Sequence, residues 1–197
     1  MQRRDFLLAA STAALSLALT RPGSAQAPIG AATPGVAAMP ELITHDVAVT
    51  SIFAATPERV WRAWTEDAEV MKWWGPRPWT CPEARMDVRE GGTSVVCMRS
   101  PEGQEIWMRW DYSKVVAGER LDYTQNLSDK DGKPIDPTSV GMPPEFPRDV
   151  ATVVTLTSKG DKTEVTITEH TTTSKMLLEG SQLGLQMVMD QMGETFA

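Results

Sequence analysis

Apolar and polar positions change their rhythm several times along this chain, and each rhythm predicts an element. Over residues 44–53, Val47, Val49 and Ser51 alternate with Ala48, Thr50 and Ile52, which predicts a strand with one buried face. Thr56-Pro57-Glu58 then carries the marks of a helix start: a Thr N-cap, Pro at the first helical position and an acid in the first turn. Val60, Trp61 and Trp64 follow at helical spacing. A second short helix is expected over residues 67–74, ended by Gly75 and Pro76. Residues 80–90 and 93–99 predict two strands joined at Gly91-Gly92. On the first arm Ala84, Met86 and Val88 share one face, and Arg85, Asp87 and Arg89 the other. Residues 105–116 put Ile106, Met108, Trp110 and Tyr112 on one side, and residues 120–126 continue with Leu121 and Tyr123. A last hairpin, residues 152–158 and 162–168, alternates Val154, Leu156, Val165 and Ile167 with a Thr-rich face suited to solvent. The tail reads as a helical turn or two over residues 175–179. A longer helix follows, capped by Ser181, with Leu185, Val188, Met189 and Met192 as its apolar stripe.

The order is strand, two short helices, about six antiparallel strands and a long helix, an α+β layout. A curved sheet wrapped around one helix leaves room for a cavity. Residues 128–149 interrupt the pattern with Pro134, Pro137, Pro143, Pro144 and Pro147. So long an irregular segment in one domain is either functional or loosely ordered.

Two segments precede the domain, which is expected to span residues 44–197. Residues 1–27 have the layout of an export signal: Arg3-Arg4, an apolar run from Phe6 to Leu19, and the small-residue site Ala25-Gln26-Ala27. Arg3-Arg4 followed by Asp5-Phe6-Leu7 resembles a twin-arginine signal, which implies export to the periplasm after folding. An ordinary secretory signal and an uncleaved anchor are the alternatives. The apolar run is short for a stable membrane span. Residues 28–43, rich in Ala, Gly and Pro, read as a flexible linker.

Charge narrows the partners. The formal net charge is −7, and −9 once Arg3, Arg4, Arg21 and Asp5 are removed with the signal. Such a chain is unsuited to the phosphate backbone of nucleic acid or to anionic lipid. The 2 cysteines are Cys81 and Cys97. On the expected hairpin Cys97 faces about position 86, which leaves Cys81 roughly 16 Å further along the partner arm. A disulfide tolerates at most about 7 Å between Cα atoms, so two free thiols are expected.

Catalytic patterns are sparse. The 2 histidines, His45 and His170, fall at strand ends, and no metal-ligand spacing, nucleophile elbow or phosphate-binding loop occurs. No cofactor or metal is therefore expected. Asp87 and Arg89, two apart on one strand face, read as a structural ion pair. The soft apolar residues are the stronger signal, because Met adapts to varied ligands and Trp and Tyr add a polar tip to an apolar body. Candidate ligand-binding residues are Trp73, Trp74 and Trp79 near the helix end, then Met86, Val88, Met98, Met108, Trp110 and Tyr123 on the sheet. Leu185 and Met189 on the last helix, and Phe146 in the long segment, complete the set. Met142 and Phe146 suggest that this segment covers the cavity mouth.

Several of these stretches together resemble a known family. They are the helix from Val60, Trp73-Trp74-Gly75-Pro76, Asp87-Val88-Arg89-Glu90-Gly91-Gly92, Glu119-Arg120-Leu121 and the helix after Gly184. The chain is similar to the Aha1 (activator of Hsp90 ATPase) homologue C-terminal-domain-like proteins of the START/Bet v 1-like (SRPBCC) superfamily. The resemblance covers most of the domain. It implies a helix-grip fold: a seven-stranded antiparallel sheet gripping the C-terminal helix, with an apolar cavity between. Gly184-Leu185 departs from the Gly-Trp often found there, which reshapes the cavity end of the helix. The export signal sets this chain apart from Hsp90 and its ATP. The expected function is non-catalytic binding of a small hydrophobic or amphipathic molecule in the periplasm. The alternatives are a cavity enzyme of the cyclase, dehydratase or hydrolase kind and a protein-interaction or chaperone-like module. An enzyme would need a polar group in the cavity, for which Asp87, Asp111, Tyr112, Tyr123 and Glu169 are candidates. A carboxyl buried inside would favour chemistry.

Overall fold

A computed structural model describes residues 40–197; the expected signal and most of the expected linker lie outside the described residues. The strands are β1 (Leu42–Phe53), β2 (Ala84–Arg85), β3 (Thr93–Arg99), β4 (Glu105–Val116), β5 (Arg120–Ser128), β6 (Val150–Lys159) and β7 (Lys162–Ser174). The helices are α1 (Pro57–Thr65), α2 (Asp67–Trp73) and α3 (Lys175–Glu194). The strands form one 7-stranded sheet in the order β1-β7-β6-β5-β4-β3-β2, every pair antiparallel. This is the expected helix-grip fold.

Local chemistry explains the helix ends. The Thr56 hydroxyl accepts from the Arg59 N–H at 3.4 Å, with Pro57 in the first turn of α1. Gly75 takes φ +103°, open to glycine and strained for other residues, just after α2. β1 pairs with β7 along its whole length, from Leu42 opposite Ser174 to Phe53 opposite Thr163. That partner carries β7 six residues beyond the expected end at residue 168. On the outer face the hydroxyls of Thr44 and Thr172, and of Thr50 and Thr166, pair across these strands at 2.8 Å.

Three expectations are corrected. The first arm of the Gly91-Gly92 hairpin is not a continuous strand, and only Ala84–Arg85 pairs as β2. Its donors go to side chains instead: the Met86 N–H to Asp67 Oδ1 at 2.7 Å and the Asp87 N–H to Ser94 Oγ at 3.0 Å. The register also differs, because Ala84 faces Val96 and the Cys97 N–H donates to the Glu83 carbonyl at 2.9 Å. Cys81 donates to that same carbonyl at 3.4 Å, so it lies much closer to Cys97 than the expected spacing; both thiols are free. Lastly, α3 runs unbroken through Gly180 and Ser181. Ser181 is no cap; its hydroxyl is drawn to Glu169.

The Asp87–Gly92 segment is a folded turn. Arg89 donates twice to the Asp87 carboxylate at 2.9 Å, the ion pair expected from the sequence. The Gly92 N–H donates to the Arg89 carbonyl at 2.8 Å, and a Cβ on Gly92 would collide with the Asp87 carbonyl.

Between sheet and helices runs a chain of rings: Trp64–Trp73 at 4.8 Å, Trp73–Trp74 at 5.6 Å, Trp74–Trp110 at 4.7 Å, and Trp110–Tyr123 at 5.2 Å. Trp110 is wholly buried at the centre of this chain. Trp110→Ala should therefore lower stability by about 3–5 kcal/mol, the usual cost of deleting a large core ring, read by urea denaturation.

Candidate functional site

The inner face of the sheet is not uniform. Strand register lines up Leu121, Val154, Ile167 and Val49 across it as one apolar row. Two positions along, the row becomes Tyr112, Tyr123, Thr152, Glu169 and Val47. Tyr112, Tyr123, Thr152 and Glu169 are all buried. A polar band thus crosses the wall beside that apolar row. It follows from the period of two: the alternation that buries Val165 and Ile167 continues through Glu169, Thr171 and Thr173.

Glu169 is 7% exposed, and its Oε2 accepts from Ser181 Oγ of α3 at 2.6 Å. Burial pushes its carboxyl above the usual range, although the Ser181 bond works downward. Burial likewise raises the Tyr123 phenol, reinforced by the nearby Tyr112 and Glu169. The Tyr112 hydroxyl bonds to Ser94 Oγ at 3.0 Å. Two further hydroxyls at this end, Thr171 Oγ1 and Ser174 Oγ, are buried with no partner among the described residues. The helix above is thinly packed here. Gly184 shares a helical face with Ser181 and Val188, and a Cβ on it would meet nothing within 4 Å. Its apolar partners, Leu185, Val188, Met189 and Met192, are buried only further along.

The other acids singled out from the sequence sit elsewhere. Asp87 is committed to Arg89 at a half-exposed turn. Asp111 is bonded by Thr93 and Arg109; burial works against its charge, but those bonds hold its carboxyl below the usual range. Among the described residues there is no group of three or more His, Cys, Asp and Glu placed to hold a metal, and no helix long and apolar enough to cross a membrane.

The twelve candidate ligand residues fall into one apolar cluster. Trp73, Trp74, Met108, Trp110, Tyr123, Leu185 and Met189 are buried in it, and Trp79, Met86, Val88, Met98 and Phe146 pack half-buried on its margin. Of the candidates only Tyr123 belongs to the polar band. Thr152, Thr171 and Ser181 were missed; continuing the β7 alternation past Ile167 would have found Thr171. The proline-rich segment is folded onto the domain. Asp136 caps a 3-10 turn, Pro137–Val140, and pairs with Arg148, and the Thr173 hydroxyl donates to the Glu145 carbonyl at 3.0 Å. Bonds from Thr138 and Arg148 pull the Asp136 carboxyl down to about 2.

A seven-stranded antiparallel sheet closed over a C-terminal helix defines the helix-grip class, in general a ligand-binding domain. The model of the family described as Activator of Hsp90 ATPase homolog 1-like protein matches residues 54–197, and the chain belongs to that family. Similar solved structures include a protein of Chromobacterium violaceum, 24% identical over 77% of this chain and 96% of that one, with a TM-score of 0.62. A protein of Nitrosomonas europaea is 25% identical over 76% and 92%, also at 0.62. The AHSA1 protein of Silicibacter pomeroyi is 15% identical over 77% and 96%, again at 0.62. No curated protein matches this chain.

The raised carboxyl has a defined linkage. Folding keeps the proton on Glu169, so its contribution to stability is lost as pH rises from the ordinary value of 4.5 through the raised one. Glu169→Gln should raise the melting temperature at neutral pH, with the gain shrinking toward pH 4.5. Melting curves across that range check it; a gain that does not vary with pH would mean that Glu169 is ionised freely in the fold. Loss of the Asp136 bonds should act locally: Asp136→Ala should speed limited proteolysis within residues 137–149 without moving the main unfolding transition.

Proposed function

We propose that this is an exported protein that binds a small amphipathic molecule between its sheet and the first half of α3. The observation that carries the reading is the buried Glu169 carboxyl, held by one side-chain hydrogen bond next to the apolar row of Leu121, Val154, Ile167 and Val49. A buried carboxyl with a single side-chain hydrogen bond costs free energy, and a ligand hydroxyl or amine donating to it would offset that cost. The apolar part of the ligand would lie toward Leu178, Met142 and Phe146, which pack half-buried on the same cluster. Its burial would contribute roughly 25 cal/mol per Å2. Residues 137–149 would act as the cover, and the Arg3-Arg4 start supports export by the twin-arginine route.

The same carboxyl favours a second reading. A buried acid with a raised pKa, held by one serine hydroxyl, suits general acid–base chemistry on a bound molecule. The two readings differ in what the protein retains. Native mass spectrometry of protein recovered from the periplasm should show one small molecule, the same in wild type and Glu169→Gln if the protein is a carrier. A different, unconverted molecule in the variant alone would mark an enzyme. Gly184→Leu, which fills the open space beside Ser181, should weaken uptake of the fluorescent amine N-phenyl-1-naphthylamine. Dye binding unchanged by both Gly184→Leu and Glu169→Gln would remove this site from either reading.

A further inference from the structure

The two edges of the sheet are closed to different degrees. At one edge β2 is only two residues long, and the next donor, the Met86 N–H, goes to Asp67. At the other edge β1 runs for 12 residues with β7 on one side only. Its register with β7 is unbroken from Leu42 to Phe53, so no bulge turns the edge away. It holds neither Pro nor Lys, the residues that commonly guard such an edge. Among the described residues, the backbone groups on its free side have no partner. A long open edge of this kind is a template for another strand.

The side chains of β1 say which strand fits. Its outer face carries Leu42, Thr44, Asp46, Ala48, Thr50 and Ile52, all exposed. Leu42 and Ile52 are 53% and 59% exposed, two of the five large exposed hydrophobics among the described residues. Two others, Met176 and Leu183, stand on α3, which packs over β1. The outer row reads nearly the same in both directions, with an aliphatic residue and a Thr at either end. A two-fold axis through Val47, normal to the sheet, sets Leu42 opposite Ile52, Thr44 opposite Thr50 and Asp46 opposite Ala48. Asp46, bonded to His170 Nδ1 at 2.6 Å, then faces no like charge directly. Neighbouring registers fit worse. An axis at Asp46 puts two carboxylates opposite one another, and one at Ala48 leaves Leu42 beyond the end of the other strand at Phe53. An axis between two residues would set buried positions opposite exposed ones.

We propose that β1 pairs antiparallel with β1 of a second copy of this chain, about Val47, which joins two sheets into one. Residues 42–52 of each copy are then in register. They form about ten backbone hydrogen bonds, the usual number for a protein–protein interface. The competing occupant is the segment that leads directly into β1. Its residues 28–39 include Pro28, Gly30, Pro34 and Gly35, which suit a strand poorly.

Sedimentation velocity of the intact protein at micromolar concentrations should show a reversible monomer–dimer equilibrium. Leu42→Lys with Ile52→Lys sets like charges opposite each other twice and should raise the dimer dissociation constant about tenfold. Leu42→Glu with Ile52→Lys sets opposite charges there and should restore the dimer at low salt. Both positions are exposed, so both variants should melt like wild type. Deletion of residues 28–39 should leave the dissociation constant unchanged. A protein that stays monomeric throughout would overturn the proposal. So would a dimer that tolerates the paired lysines, or one weakened equally by both charge combinations. Dimerisation only after the deletion would overturn it too, because residues 28–39 would then be what holds the edge.

Discussion

The chain of rings from Trp64 to Tyr123 holds the two layers in register. Trp64 comes from α1, Trp73 and Trp74 from the end of α2, Trp110 from β4 and Tyr123 from β5. Edge-to-face contacts dominate the helix side, and Trp110 stacks on Tyr123. Such contacts add directional preference to the burial of large apolar area. They also locate other features. The Trp73 indole donates to the Ala63 carbonyl at 2.9 Å, which ties α2 to α1. With Trp73 and Trp74 both turned inward, the chain must leave α2 abruptly, and Gly75 makes that exit possible.

Tyr123 ends this chain of rings and begins the polar band. On one side of it lie indoles; on the other, across β6 and β7, lie Thr152 and Glu169. The interior therefore passes from apolar to polar across the sheet. Along the strands a second gradient follows α3, from Ser181 near its start to the buried Met189 and Met192 near its end. Burial of a carboxyl with a single side-chain hydrogen bond is unfavourable for folding alone. A site that tolerates it is a natural place to look for a ligand or for chemistry.

How much of this was legible depended on where backbone donors found partners. β1, β4, β6 and β7 each bury one face, and their alternation was plain. The segment before Gly91-Gly92 also alternates, yet Asp67 and Ser94 side chains take the N–H groups that a ladder would use. Neither contact has a local sequence signature, since Asp67 stands nineteen residues before Met86. The same difference moved the Cys81–Cys97 register. Ser181 looked like a cap after Gly180, but helix packing over the sheet outweighs one glycine, whose cost is about 1 kcal/mol. Glu169 was visible as a candidate acid; its serine partner was not.

The sequence by itself determined the order of elements, the faces the strands bury, and the family resemblance that implied a helix grip. These depend on local spacing: a period of two, a helical stripe, a cap, a glycine after a helix. Tertiary structure alone decided which polar groups share the interior. Glu169 meets Ser181 because β7 lies beneath α3, and Gln191 meets the carbonyls of Trp73 and Gly75 because α3 ends against α2. Those partners are far apart in the chain or on opposite sides of a turn. Only the packing of helix on sheet sets the distance between them.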